Sequence, residues 1–381
     1  MRVQCTKQPT GRMSFDLLDD AGLPVPEVSG FLRYLESRDY SPHTISAYAY
    51  DLLHFSRFLA QEALTYADFR PAQALTLVAY LRAQPVRRQA QRTSLVSCAI
   101  EQGQPTTCLS APTVNRILAA ISSLYEYLIV SEQFTVRENP IQKRDDPALA
   151  RVSERHRPFM GGASRQRPIR RIVRVKTVER LPRPMSDDQV QQLLSSLTCL
   201  RDKAMILLML QGGLRPGEIL NLHLDDIQYG RRRVIIRYRT DHPKGVRTKS
   251  RRERVVDLHE PETLTTLSEY VMRERPTDTD ETTVFLVGGR GKRRHEPLSY
   301  HALVKLFARH CERTGIRQPW VTPHALRHTH ATRLWENGMR ELTLQKRLGH
   351  ASPDSTRVYT KVSDPIVVAE YRQALGYKEG Q

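Results

Sequence analysis

His324, Arg327 and His328 stand three and four residues apart in "TPHALRHTHAT", a spacing that puts all three on one face of a helix. His350 follows in "LGH", and Tyr359 lies nine residues beyond it. Far upstream, Arg215 in "GGLRPGEI" follows a tight turn at the start of a predicted helix, where a guanidinium and backbone N–H groups could point at one anion. Two Arg, two His, a Lys and a Tyr, without a carboxylate pair, suit phosphodiester chemistry in which the protein supplies the positive charge of a metal. Two arginines could grip the non-bridging oxygens while a tyrosine attacks phosphorus. A free phenol titrates at about 10, so it needs nearby cations or a base to react near neutrality. A Lys or His must then protonate the leaving oxygen. Zinc fits this set less well, because an arginine amid the histidines repels a cation and no H-E-x-x-H spacing occurs. His328 and His330 also suit a purely structural role.

The elements that position these groups follow from periodicity. Pro323 starts a predicted helix that meets no breaker until Gly338, and a shorter one ends at Gly349. A capping box at Ser186 and Gln189 opens the domain that carries them. "RRRVIIRYRT", "RERVVDL" and "TTVFLV" read as strands of a small sheet. Upstream, "VSGFLRYLESRDYSPHTISAYAYDLLHFSRFLAQ" breaks at Ser41-Pro42 into two helices, with Phe31, Leu32 and Leu35 on one stripe. Ile45, Tyr48, Leu52, Phe55 and Leu59 form the next stripe. Two more helices, Gln73–Gln84 and Ala111–Val130, complete an all-α domain.

The predicted organisation is a flexible arm over 1–25, a helical domain over 26–140, a basic interdomain linker over 141–183 and a catalytic domain over 184–381. The linker holds 13 Lys and Arg against 4 Asp and Glu. The whole chain carries 59 basic and 41 acidic residues, a net charge of +18, which favours a polyanionic partner and nucleic acid first. Five scattered cysteines, with no C-x-x-C pair, suggest neither a disulfide framework nor a zinc site. No run of about 18 apolar residues predicts a membrane span, and the N-terminus has no secretory h-region.

In this order, "GLRPGEILNLHLDDI", "H-x-L-R-H-T", "L-G-H" and "Y-T" resemble the tyrosine recombinases, the phage-integrase family. Val28–Val130 resembles their N-terminal domain in pattern only. The implied fold is an all-α, SAM-like core-binding domain followed by a mainly α catalytic domain with a small antiparallel sheet, with DNA held between the two. The resemblance implies that Arg215 and Arg327 bind the scissile phosphate, that His324 begins the H-x-x-R pair, that His350 takes the His/Trp position and that Tyr359 is the nucleophile. Lys249 in "RTKSRRERVVDL" takes the place of the family's catalytic lysine, with Lys244 in "HPKG" as the alternative. This segment is longer and more charged than the compact G-K-G pattern. Glu218, one turn after Arg215, could hold a guanidinium, and His328 could orient its neighbours.

The expected function is site-specific DNA recombination through a 3′-phosphotyrosyl intermediate and a Holliday junction, with no metal, cofactor or ATP. Double-stranded recombination sites are the expected partner, bound by a homotetramer that is a monomer or dimer off DNA, with accessory recombination proteins as further candidates. The "LRHTHAT" and "QKRLGHA" forms look most like recombinases of transposons and other mobile elements. The expected location is the cytoplasm, at the bacterial nucleoid. A type IB topoisomerase would share the chemistry but need no partner site. A DNA-binding protein with a degenerate site would form no adduct. The apolar helix in "DPIVVAEYRQALGY" could pack on a neighbouring protomer or in cis.

Overall fold

The computed structural model describes residues 1–8, 13–85, 108–132, 138–145, 169–177, 183–248 and 253–350. Lys249, Tyr359, the middle of the basic stretch and the predicted C-terminal helix lie outside the described residues. The chain divides into two compact units, Met1–Val178 and Glu179–Gln381.

The first unit is built on four helices: α1 (Pro26–Ser37), α2 (Pro42–Gln61), α3 (Gln73–Ala83) and α4 (Ala111–Val130). Ser41 caps α2 by accepting from the Thr44 N–H, and Pro42 occupies the first turn, where its missing N–H costs nothing. Phe31, Leu35, Ile45, Leu52, Phe55, Val114, Ile117, Ile121 and Leu124 are buried in one cluster.

Two expectations need correction here. The first residues are not a flexible arm: β1 (Arg2–Lys7) and β2 (Met13–Leu18) form an antiparallel hairpin, with Arg2 opposite Leu18 and Lys7 opposite Met13. Leu17 is fully buried in the helical core, and Met1, Val3 and Phe15 pack against it. Burying one such leucine contributes ~1.5–3 kcal/mol, which helps offset the entropy of ordering a short hairpin. Six residues are too few for their alternation to stand out in the sequence. The basic stretch also does not run free from residue 141. Ile141 is buried, β3 (Lys143–Asp145) pairs with β4 (Ile169–Arg171), and Asn115 exchanges two 2.9 Å bonds with the Val175 backbone. Ile141, Val173 and Val175 of this stretch therefore pack on the helical core, and a side-chain amide that mimics a backbone partner holds Val175 there.

The second unit opens at the Ser186 capping box, in which Ser186 and Gln189 satisfy each other's backbone N–H. The helix Leu200–Leu210 is its central rod, buried from Ala204 to Leu210. A three-stranded antiparallel sheet follows in the order β5 (Ile227–Gln228), β6 (Arg233–Ile236), β7 (Arg254–Asp257). "TTVFLV" is not its third strand. Val284, Phe285 and Leu286 are buried consecutively instead of alternating, and their backbone bonds run to loops, such as Val284 N–H to the Leu222 carbonyl. Four longer helices complete the unit: Pro261–Glu269, Tyr300–Arg313, Pro323–Glu336 and Glu341–Leu348. Among the described residues, no helix is long and apolar enough to cross a membrane.

Candidate active site

The site begins at the Gly212–Gly213 turn that ends the central rod. Gly213 has φ +65°, and a Cβ there would lie 2.4 Å from the His330 ring. His330 is held in place by donating from Nδ1 to the Leu210 carbonyl at 2.9 Å, while Arg347 donates to its Nε2 at 3.3 Å. Gly213→Ala should therefore destabilise the protein by at least ~2 kcal/mol, through left-handed strain plus overpacking. A urea midpoint equal to wild type would show that this turn tolerates a side chain.

The turn delivers Arg215 to the N-cap of a five-residue helix, Pro216–Leu220. Its backbone N–H does not face an open anion site, as the sequence suggested. It donates to Glu218 Oε2 at 2.8 Å, and the guanidinium donates to Glu218 Oε1 at 2.7 Å. Glu218 is buried, and Arg254 of β7 grips both of its oxygens at 2.8 Å. Arg327 Nη1 lies 4.0 Å from the same carboxylate. Burial opposes ionisation of Glu218, but the Arg254 bonds and the charges of Arg254, Arg215 and Arg327 prevail and hold its pKa at about 2. Three guanidinium groups on one carboxylate leave the cluster net positive.

Arg327 projects from the Pro323–Glu336 helix and is buried, donating to the Gly213 and Leu348 carbonyls and, at 3.1 Å, to His350 Nε2. A guanidinium can only donate, so this nitrogen of His350 accepts and the neutral ring carries its proton on Nδ1. Burial, then the charges of Arg327, Arg215 and Arg254, push His350 down to about 3. On the same helix His324 is exposed and His328 is half-buried. Burial, then His324 and Arg327, lower His328 to about 4.

The short helix Glu341–Leu348 is the hub. Leu344 and Leu348 pack with Ala331 of the preceding helix, and Gly349 ends the helix at φ +63°. Three successive carbonyls at this terminus each accept from a different arginine: Arg347 from Arg254 at 3.1 Å, Leu348 from Arg327, Gly349 from Arg215 at 3.2 Å. Helix C-termini expose orphan carbonyls and partial negative charge, so cations gather there.

The structure thus brings together Arg215, Glu218, Arg327 and His350, with His324 and His328 on the helix that carries Arg327. Lys244 is committed elsewhere, its ammonium 2.8 Å from Glu296. Arg254 and Arg347 were not singled out by motif or spacing. Strand parity held a signal for the first: Arg254 shares its side of the strand with Val256 and Leu258, both buried.

Three depressed histidines make a pH prediction. His328, His330 and His350 titrate well below the usual 6.5 in the folded state, so the unfolded chain binds more protons. Their contribution is fully present above pH ~6.5 and is lost progressively as pH falls towards the folded values. Glu218, held at about 2, adds a loss of the same sign only as pH nears the ordinary glutamate value of 4.5, so the histidines carry most of the change from pH 7 to pH 5. Trp320 and Trp335, the two tryptophans of the chain, both lie in this unit. Thermal unfolding followed by tryptophan fluorescence should shift to lower temperature from pH 7 to pH 5. A midpoint that holds or rises would refute the depressed histidines.

Comparison with known proteins bears on the family and the fold. Residues 183–365 match the family model described as Phage integrase family, and residues 28–132 match Phage integrase, N-terminal SAM-like domain. The chain is 28% identical over 367 residues to Transposase A from transposon Tn554 of Staphylococcus aureus, covering 95% of this chain and 94% of that protein. It is 27% identical over 350 residues to the tyrosine recombinase XerC of Caldanaerobacter subterraneus subsp. tengcongensis, covering 89% and 84%. In fold it is similar to the Tn1549 transposon integrase in complex with a circular intermediate DNA, with a TM-score of 0.60 and 17% identity over 91% of this chain and 99% of that one.

Proposed function

We start from the fact that the chain belongs to the phage integrase family of tyrosine recombinases, and we propose that it cuts and rejoins specific double-stranded DNA sites through a phosphotyrosyl intermediate. The observation that carries the reading is the meeting of Arg215 and Arg327 on adjacent carbonyls beside His350. This arrangement is a net positive cradle able to bind the two non-bridging oxygens of one phosphate.

In the proposed step Tyr359 loses its proton to the exposed imidazole of His324, and its oxygen attacks phosphorus. The P–O5′ bond breaks as the new P–O(Tyr) bond forms, leaving a 3′-phosphotyrosyl ester. Lys249 gives a proton to the departing 5′-oxygen. Arg215 and Arg327 bear the charge that builds on the non-bridging oxygens, and neutral His350 donates from its ring to the same phosphate. The ester keeps the free energy of the original phosphodiester, so a 5′-hydroxyl from a second site reverses the chemistry without ATP. Two sites and four protomers would exchange strands in turn through a Holliday junction. The similarity to a transposon's transposase favours a role in moving a mobile element.

The test is a nicked suicide substrate taken from DNA flanking the protein's own gene, incubated with the protein in EDTA and resolved on a denaturing gel. A covalent protein–DNA band, with DNA cut at one place, is the expected result. If DNA that the protein binds tightly never yields such a band, the chain is a binding protein and the recombinase reading fails.

A further inference from the structure

We infer that Arg254 is a third arginine of the site: a positioning residue that sets Arg215 and the strand after Lys249 in one geometry. This rests on the recombinase reading. Arg254 is the first residue of β7, paired across the sheet with Ile236, and its side chain is buried among polar groups. One guanidinium fork spans both oxygens of Glu218 at 2.8 Å, while its Nε donates to the Arg347 carbonyl at 3.1 Å. Glu218 in turn holds the Arg215 side chain and backbone. A single planar group therefore joins three segments distant in sequence: the strand that follows Lys249, the turn bearing Arg215, and the helix end preceding His350.

The fit is close on the remaining side as well. A Cβ on Gly349 would lie 2.8 Å from Arg254 Nη1, so the αL glycine that ends the helix also makes room for this guanidinium. A lysine has neither the reach to both oxygens nor the second direction towards Arg347, which is why charge alone does not replace arginine here. Without Arg254, Glu218 still accepts from the Arg215 backbone at Oε2 and from its guanidinium at Oε1, but nothing ties that pair to β7 and the Arg347 carbonyl, so the carboxylate and Arg215 shift together. A displacement near 1 Å of a phosphate-binding group costs on the order of 100-fold in rate.

The experiment measures single-turnover cleavage of the suicide substrate, DNA affinity and thermal stability for Arg254→Met, Arg254→Lys, Glu218→Gln and the Glu218→Gln/Arg254→Met pair. The pair removes both charges together, so it avoids leaving a buried carboxylate without its fork. Arg254→Met should slow cleavage ~100-fold at saturating DNA with affinity within about threefold of wild type, and Arg254→Lys should recover no more than about a tenth of the wild-type rate. If Arg254 acts through Glu218, the pair is no slower than the slower single variant. Losses that multiply in the pair would overturn the proposal, as would rate loss that merely tracks a fall in stability or affinity. Wild-type adduct together with fast cleavage by Arg254→Met would overturn it while leaving the recombinase reading intact. Absence of adduct from wild-type protein on every DNA it binds would overturn both.

Discussion

Protein carrying Tyr359→Phe should form no covalent adduct with a suicide substrate that traps the wild type, a loss of at least ~10⁴-fold in cleavage rate. The substitution deletes one oxygen and keeps the ring, so folding and DNA affinity should be unchanged. In the proposed reaction water is then the remaining nucleophile, and a hydrolysed strand leaves no protein on the DNA. The measurement is a denaturing gel of labelled substrate, read beside a binding assay on the same samples. A covalent band that persists in the variant means that another side chain attacks, and it removes Tyr359 from the mechanism. Hydrolysis without a covalent band in wild type would be equally fatal.

Arg327→Ala should cost ~10³–10⁵ in the cleavage step, which is ~4–7 kcal/mol of transition-state stabilisation. Arg327 is buried and bonded to the Gly213 and Leu348 carbonyls and to His350, so in the proposed reaction its guanidinium would meet the phosphate already oriented. Because that orientation is made in folding, little reorganisation remains for the reaction. Binding should suffer far less than chemistry. Removal of one phosphate contact lowers the salt slope of DNA affinity by about one. The alanine also strips two buried carbonyls of a donor, at ~1–3 kcal/mol each, so some loss of stability accompanies it. Arg327→Lys separates the two effects, since it keeps the charge but not the fork. The expected pattern is a large fall in rate at saturating DNA for both variants. A rate within tenfold of wild type for Arg327→Ala, on protein shown to be folded, would place the phosphate elsewhere.

The features that could be read from the sequence are local ones. Ser41 before Pro42 and Ser186 before Gln189 each marked a helix start, since a cap involves only residues three apart. The helix from Pro323 to Glu336 was bounded by a proline and a glycine, and the i, i+3 and i, i+4 spacing put Arg327 and His328 one turn from His324, although burial then divided them, Arg327 buried and His324 exposed. Glu218 lay within one turn of Arg215, so their bond was also legible. The hairpin at the N-terminus was not, because two short strands gain their reason to exist only when Leu17 meets a core made by α1 and α2. "TTVFLV" was misread for a related reason. An unbroken apolar run states that a segment is buried, but not which backbone groups it pairs with.

By itself, then, the sequence determined the chemistry available to this protein: which groups could bear charge, attack or donate a proton, and which helices would carry them. Side-chain type and near-neighbour spacing are properties of the covalent chain. Only the tertiary structure decided that the Arg347, Leu348 and Gly349 carbonyls would each receive a different arginine, and that Arg254 would close the cluster around Glu218. Those contacts join residues far apart in the chain. They form because burying the helices brings one helix terminus, one carboxylate and three cations into the same low-dielectric space, where each charge must find its partner.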